Sequence, residues 1–214
     1  MNTSIRAVVF DADGTVLNTR EFILKAFEHS AALHGHAVPG REKIVPGLAG
    51  KTLIDGYRAL FPQGDHLALR DSHRMFQKEK FDLIAAYDGL HELLTTLRGR
   101  GMLLGICSSR AATVRPSLEY LEALNYFDAV VDANDVTEHK PHPEGVLKVL
   151  EILNIAPEHA AMIGDTVSDI EAGRAAGCAF TIGITHGFGT RESLENAGAD
   201  HIIEKLSDIL PLLT

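Results

Sequence analysis

Asp11 and Asp13 stand two residues apart, directly after the apolar run Ala7-Val8-Val9-Phe10 and just before Gly14-Thr15. Apolar residues ahead of a turn signal predict a buried strand. The two carboxylates then emerge at its carboxyl end, where Gly14 permits a sharp turn. Paired acids at such an edge can hold a divalent metal, and one of them can attack an electrophile. The same residues also suit an acidic turn that caps the next helix, because Asp, Gly and Thr are turn formers.

Three more polar signals follow apolar runs. Ser108-Ser109-Arg110 comes after Leu103-Leu104-Gly105-Ile106-Cys107. Lys140-Pro141 comes after Ala129-Val130-Val131. Gly164-Asp165-Thr166-Val167-Ser168-Asp169 comes after Ala161-Met162-Ile163. Each has an ordinary reading: Ser108 as a helix N-cap, Lys140 as a solvated loop lysine, Asp165 and Asp169 as turn and helix-start acids. In open parallel sheets, ligands bind beyond the carboxyl ends of the strands. All the signals fall on that edge. A hydroxyl, a lysine and several carboxylates gathered there suit phosphoryl chemistry with a metal ion.

The elements that must position them alternate. Leu90, Leu93, Leu94 and Leu97 recur at helical spacing and end at Gly99 and Gly101. Met102 to Cys107 predicts a strand, and Val114, Leu118, Leu121 and Leu124 a helix. A strand at 129–131 precedes a helix that starts near Pro143 and carries Val146, Leu147, Leu150 and Leu153. Ala160 to Ile163, an Ala-rich helix ending at Gly177, Phe180 to Ile184 and Ile202-Ile203 complete the pattern. The fold class is therefore α/β: a Rossmann-like parallel sheet with helices on both faces. Residues 17–84 break the alternation with helical stripes and the breaks Pro39-Gly40, Pro46-Gly47 and Pro62, and show no strand signal. They read as a helical insertion after the first strand, dividing the chain into a core of 1–16 and 85–214 and an inserted unit of 17–84.

At 214 residues the chain can bury a substantial core. Its hydrophobic content of 45% and charged content of 23% are those of an ordinary globular protein. A net charge of −9 argues against broad nucleic-acid binding. No apolar run approaches the roughly 20 residues that cross a bilayer. The opening Met1-Asn2-Thr3-Ser4-Ile5-Arg6 has no signal-peptide design, so a cytoplasmic location is expected. Cys107 and Cys178, far apart and in apolar company, are expected to be buried free thiols. Residues 17–84 carry ten Lys and Arg against eight Asp and Glu, a net of +2 in an acidic protein. Such a segment can attract an anionic substrate, or simply present solvated helix faces.

Asp11-Ala12-Asp13-Gly14-Thr15-Val16 resembles the first signature of the haloacid dehalogenase superfamily. Ser108, Lys140 and Gly164-Asp165-Thr166-x-x-Asp169 match the other three in order and spacing. The likeness covers the whole chain, with residues 17–84 in the place of a small all-helical cap. Gly183-Ile184-Thr185-His186-Gly187-Phe188-Gly189-Thr190-Arg191 and Ala197-Gly198-Ala199-Asp200 further resemble phosphoglycolate-phosphatase-like members. The resemblance implies that Asp11 attacks phosphorus and forms an aspartyl phosphate, while Asp13 protonates the leaving oxygen and then activates water. It implies Mg²⁺, held by the side chains of Asp11 and Asp165 and the backbone carbonyl of Asp13, with Asp169 ligating or orienting. Ser108 and nearby amides would hold a phosphoryl oxygen, and Lys140 would offset the crowded negative charge. Dehalogenases lack the second acid, so Asp13 implies hydrolysis of a phosphate ester or anhydride.

The implied substrate is a small phosphorylated metabolite, phosphoglycolate first, then pyrophosphate or a sugar phosphate. A phosphosugar mutase of the β-phosphoglucomutase kind would use the same chemistry, and a phospho-Asp receiver module is a remote non-enzymatic rival. Oligomeric state is unknown from sequence. Asn18, Ser109-Arg110 and His186 stand where related phosphatases commonly carry Asp, Asn-Lys and Trp. Gly50-Lys51-Thr52 imitates the end of a P-loop, but Val45 stands where that motif needs Gly and no strand precedes it. Gly47 to Thr52 instead resembles the cap loop that faces the site, which makes Lys51 a substrate-contact candidate along with Ser109 and Arg110. His91-Glu92-Leu93-Leu94-Thr95 lacks the second histidine of a zinc protease motif. His73-Arg74 reads as a solvated helix face that alternatively meets an anionic substrate, and His139 and His142 as solvent-facing loop histidines.

Overall fold

The computed structural model describes residues 4–48 and 51–213. The Met1-Asn2-Thr3 opening lies outside the described residues, as do Ala49 and Gly50 of the Gly47 to Thr52 loop. Strand β1 (Ala7–Phe10) lies inside a six-stranded sheet with β4 (Leu103–Cys107), β5 (Ala129–Val131), β6 (Ala160–Gly164), β7 (Phe180–Ile184) and β8 (His201–Ile203). Their order is β5-β4-β1-β6-β7-β8, and each neighbouring pair is parallel. The chain leaves β1 for one side and returns to its other side at β6. That reversal places a ligand crevice at the carboxyl end of β1.

Alternation along the strands builds the two faces. Val8 and Phe10, Leu104 and Ile106, and Ala161 and Ile163 point to one side. There they meet the leucines of α5 (Leu90–Gly99) and Val114 and Leu118 of α6 (Val114–Tyr120). Ala7, Val9, Ala160 and Met162 point to the other. There they meet Val146, Val149, Leu150 and Leu153 of α7 (Glu144–Leu153) and Ala172 and Ala176 of α8 (Val167–Ala176). Each fully buried leucine or valine is worth about 2 kcal/mol, so both faces are held strongly. A short α9 (Arg191–Asn196) follows β7.

Between β1 and α5 lie α1 (Arg20–Leu33), α2 (Arg41–Leu48), α3 (Leu53–Leu60) and α4 (His66–Glu79). Leu24, Phe27, Ala31, Ile44, Tyr57 and Leu69 form their own apolar cluster. Phe27 stacks on Tyr57 at 4.9 Å and on Phe61 at 5.5 Å between centroids. Thr52 and Asp65 cap α3 and α4, as their polar side chains before apolar periodic runs require.

Two sequence expectations are corrected here. The segment 17–84 does begin with a strand residue pair: β2 (Leu17–Asn18) pairs antiparallel with β3 (Ala85–Ala86) and so ties its two ends together. The stripe from Val114 to Leu124 is not one helix. It stops at Tyr120, and Glu122 adopts a left-handed φ of 55° before a 3₁₀ turn at Leu124–Tyr126. No helix among the described residues is long and apolar enough to cross a membrane.

Candidate active site

β1, β4, β5 and β6 end side by side, and each contributes polar residues just beyond its last pair. The Asp11 N–H donates to the Ile163 carbonyl at 2.8 Å, which fixes Asp11 against β6. Lys140 enters on the loop between β5 and α7. Its ammonium donates to Asp11 Oδ1 at 2.6 Å, to Asp169 Oδ1 at 2.5 Å and to the Cys107 carbonyl at 2.9 Å. Burial alone would lower the Lys140 ammonium, but Asp11 and Asp169 overcome it and hold it well above its usual value. This lysine is not the solvated loop residue of the ordinary reading.

Asp169 serves two ends at once. Its Oδ2 accepts from the Thr166 N–H at 3.0 Å and the Thr166 hydroxyl at 2.6 Å, which caps the start of α8. Its other oxygen holds Lys140. Asp165 is wholly buried: Oδ1 accepts from the Thr15 hydroxyl at 3.3 Å and Oδ2 from the Phe188 N–H at 2.6 Å. A Cβ at Gly14, whose φ is 84°, or at Gly187 would collide with the Asp165 carboxylate. Both glycines are therefore what lets two loops close over it.

Asp11, Asp165 and Asp169 each offer an oxygen within 4.8 Å of one another. Burial pushes the Asp11 carboxyl up to about 7; Lys140 opposes the rise, and Asp169 and Asp13 add to it. Burial likewise drives Asp165 well above the carboxylate range, with Asp11 and Asp169 contributing. Asp13 faces Arg110 instead. Its Oδ2 accepts from Arg110 Nε at 2.9 Å, and its Oδ1 is shielded from solvent without a hydrogen-bond partner. Arg110 Nη1 donates to the Thr113 carbonyl, the Thr113 hydroxyl and the Ser117 hydroxyl, while its buried Nη2 has no partner.

The donor set fits a divalent metal. Hard carboxylate oxygens are what Mg²⁺ takes. The four acids outnumber Lys140 and Arg110 by two charges, which one divalent ion balances.

A cavity of about 490 Å³ opens over this edge. Asp11, Asp13, Asp169, Lys140, Ser109 and Arg110 line it from the sheet side, and Lys51, His73, Arg74 and Gln77 from the helical segment. Two sequence candidates are not on its wall. Asp165 lies beneath it, and Ser108 lines a small adjoining recess shared with Ser109 and Lys140. The Ser108 hydroxyl accepts from the Arg110 N–H at 3.1 Å, a local turn bond of the capping type.

The model of haloacid dehalogenase-like hydrolases matches residues 8–182. The chain belongs to that family. Pyrophosphatase PpaX of Bacillus cereus is 34% identical over 212 residues, which is 98% of this chain and 97% of that protein. A haloacid dehalogenase-like family hydrolase from Streptococcus pneumoniae superposes with a TM-score of 0.88 at 26% identity, over 99% of this chain and all of its own. A predicted phosphoglycolate phosphatase from Haemophilus somnus shares the fold with a TM-score of 0.91 at 19% identity, each chain covered in full.

Within this hydrolase fold, several residues read differently from their sequence expectation. His73 is 1% exposed, so the solvated-face reading of His73-Arg74 fails. His139 is half-buried and lines the cavity. Cys107 is a buried free thiol, as its sequence context predicts, while Cys178 is only half-buried; burial pushes their thiols up to about 11 and about 12, which disfavours the thiolate at both. His186 stacks on Tyr87 at 3.6 Å and donates from Nε2 to the Thr15 carbonyl at 3.0 Å, so it braces the loop after β1. Gln77 carried no sequence signal; only its place in the stripe 70, 73, 74, 77 on α4 marks it.

Proposed function

We propose that this hydrolase is a Mg²⁺-dependent phosphatase of a small phosphorylated metabolite that works through an aspartyl phosphate. The observation that carries the reading is the Lys140 ammonium shared between Asp11 and Asp169 at the carboxyl end of β1, with Asp13 alongside. Asp11 Oδ2 accepts no hydrogen bond among the described residues, so it is the oxygen left to attack. It forms the new O–P bond as the P–O bond to the leaving group breaks, and Asp13 gives that oxygen its proton. Asp13 then takes a proton from water, the water oxygen bonds to phosphorus, and the Asp11–P bond breaks. Lys140 and Arg110 draw the anionic phosphoryl group toward Asp11, and the Ser108 hydroxyl and neighbouring amides orient it. Mg²⁺ held by Asp11, Asp165, Asp169 and the Asp13 carbonyl would supply charge neutralisation on the phosphoryl oxygens.

The core of 1–16 and 85–214 carries this chemistry in our reading, and the helical unit of 17–84 acts as a cap that excludes water. Phosphoglycolate is the first substrate, on the resemblance of residues 183–191 and 197–200. Pyrophosphate is the second reading, favoured by the name of the relatives at 34% identity. Turnover of p-nitrophenyl phosphate, with and without Mg²⁺, tests the class, and Asp11→Asn tests the nucleophile. We expect metal-dependent phosphate release from the wild type and none from the variant. Phosphate release that survives Asp11→Asn would exclude the aspartyl phosphate.

A further inference from the structure

Helix α4 turns a polar stripe inward as well as exposing Asp71, Lys78 and Glu79 to solvent. Arg70, His73, Arg74 and Gln77 recur at i, i+3, i+4 and i+7, the spacing that normally points an apolar stripe inward. All line the cavity that holds Asp11. Leu67 and Met75 meanwhile are 56% and 58% exposed. A stripe that breaks the local rule in a well-packed helix marks a functional constraint.

The members differ in how far they are committed. Arg70 is paired with Asp71, and Arg58 at the same cavity with Asp55. Arg74 is half-buried and makes no ion pair or hydrogen bond with any described residue. Burial lowers its guanidinium and Arg70 adds to this, while Asp71 and Asp132 oppose; Asp71 is held by Arg70, and Asp132 accepts the Asn134 N–H. Gln77 is 3% exposed and also makes no side-chain hydrogen bond among the described residues. The His73 ring shares a hydrogen bond with the Tyr57 hydroxyl through Nδ1 at 3.0 Å. Across the same cavity, the buried Nη2 of Arg110 has no partner. Buried donors without partners are costly, and a cation without a counter-ion in a cavity is a place for an anion.

We propose that the α4 stripe of His73, Arg74 and Gln77 binds a second anionic group of the substrate, so that this enzyme selects phosphorylated acids or diphosphates over phosphomonoesters with a neutral remainder. The inference rests on the phosphatase reading and deepens it. The shared chemistry is a phosphoryl group at Asp11 and a carboxylate or second phosphoryl group at Arg74. Arg74 is a specificity-determining residue in this scheme, and His73 and Gln77 supply neutral hydrogen bonds around it.

The test is binding, so it does not depend on turnover. Isothermal titration in the presence of Mg²⁺ compares phosphonoacetate with acetonylphosphonate, which replaces the carboxylate by a methyl ketone of similar size. The wild type is expected to bind phosphonoacetate about tenfold or more tighter, the effect of one charged hydrogen bond. Arg74→Met should bring that ratio close to one, and Arg74→Lys should restore part of it. Methylenediphosphonate in a parallel titration tells whether a second phosphoryl group is held more tightly than a carboxylate. Equal wild-type affinities for phosphonoacetate and acetonylphosphonate, or an unchanged ratio in Arg74→Met, overturn the proposal even if p-nitrophenyl phosphate is turned over. Absence of that turnover together with no phosphonate binding overturns the phosphatase reading itself, and this one with it.

Discussion

Lys140→Met removes the cation that Asp11 and Asp169 share. The Lys140 ammonium lies 2.6 Å and 2.5 Å from their carboxylates, and its side chain is 4% exposed. Two effects follow with separate readouts. Removing one partner of a buried ion pair costs about 3–5 kcal/mol of stability. For a domain of this size that is a fall in melting temperature of about 6–20 °C. The fall should depend on pH in metal-free protein. Asp11 already stands raised to about 7 by burial, so stability linked to its proton is present at low pH and lost as pH rises through about 7. Without the lysine that carboxyl rises further, and a proton takes over part of the neutralisation. The variant should therefore lose less against wild type at pH 6 than at pH 8. On activity, loss of a charged donor to the attacking group should lower kcat by about 10²- to 10³-fold. Differential scanning fluorimetry in EDTA at both pH values, and p-nitrophenyl phosphate kinetics with Mg²⁺, measure the two effects. A melting shift under about 2 °C together with a rate within about threefold of wild type would show that Lys140 neither balances the acids nor supports attack.

Two further outcomes follow from other residues. Asp13→Asn should slow release of a poor leaving group such as an alkyl phosphate by about 10²- to 10⁴-fold, and p-nitrophenyl phosphate far less, because nitrophenolate departs without a proton; equal losses on both would remove Asp13 as the acid. Burial pushes the His73 imidazole down to about 3, with Arg74 and Arg110 adding to the fall. A lowered imidazole leaves the folded state fully stable above the unfolded value near 6.5 and penalised as pH falls below it. That amounts to about 2 kcal/mol by pH 5. His73→Asn should lose correspondingly less on acidification in urea melts at pH 7 and pH 5, and parallel losses in both proteins would count against the buried neutral ring.

Strand-end chemistry was legible in the sequence because it is local. A buried strand needs an apolar run, and the residue after it must reach the carboxyl edge, so Asp11, Ser108 and Asp165 could be placed from their positions after Phe10, Cys107 and Gly164. What each side chain does there depends on partners far away in the chain. Arg110 was a substrate candidate by proximity to Ser108, yet it crosses 97 residues to hold Asp13. Asp169 looked like a helix-start acid and is one, but the same carboxylate also holds Lys140 from 29 residues away. No local period encodes either pairing.

The helical insertion shows the limit most clearly. Its existence was readable from the loss of alternation after Val16, and its short β2–β3 ribbon was not, because two residues make no pattern. His73-Arg74 seemed solvated because a polar stripe normally faces water. In this chain Leu67 and Met75 share the water side of α4 with Asp71, Lys78 and Glu79, and a second polar stripe is turned onto the cavity above Asp11. Polar residues gain from such a position only when something polar fills the space. On the proposed reading the sheet edge takes one phosphoryl group, at Asp11 and Lys140. The stripe lines the same cavity with Arg74 uncommitted, so the proposal makes the length between Lys140 and Arg74, rather than the sheet signatures, the feature that selects among phosphorylated molecules.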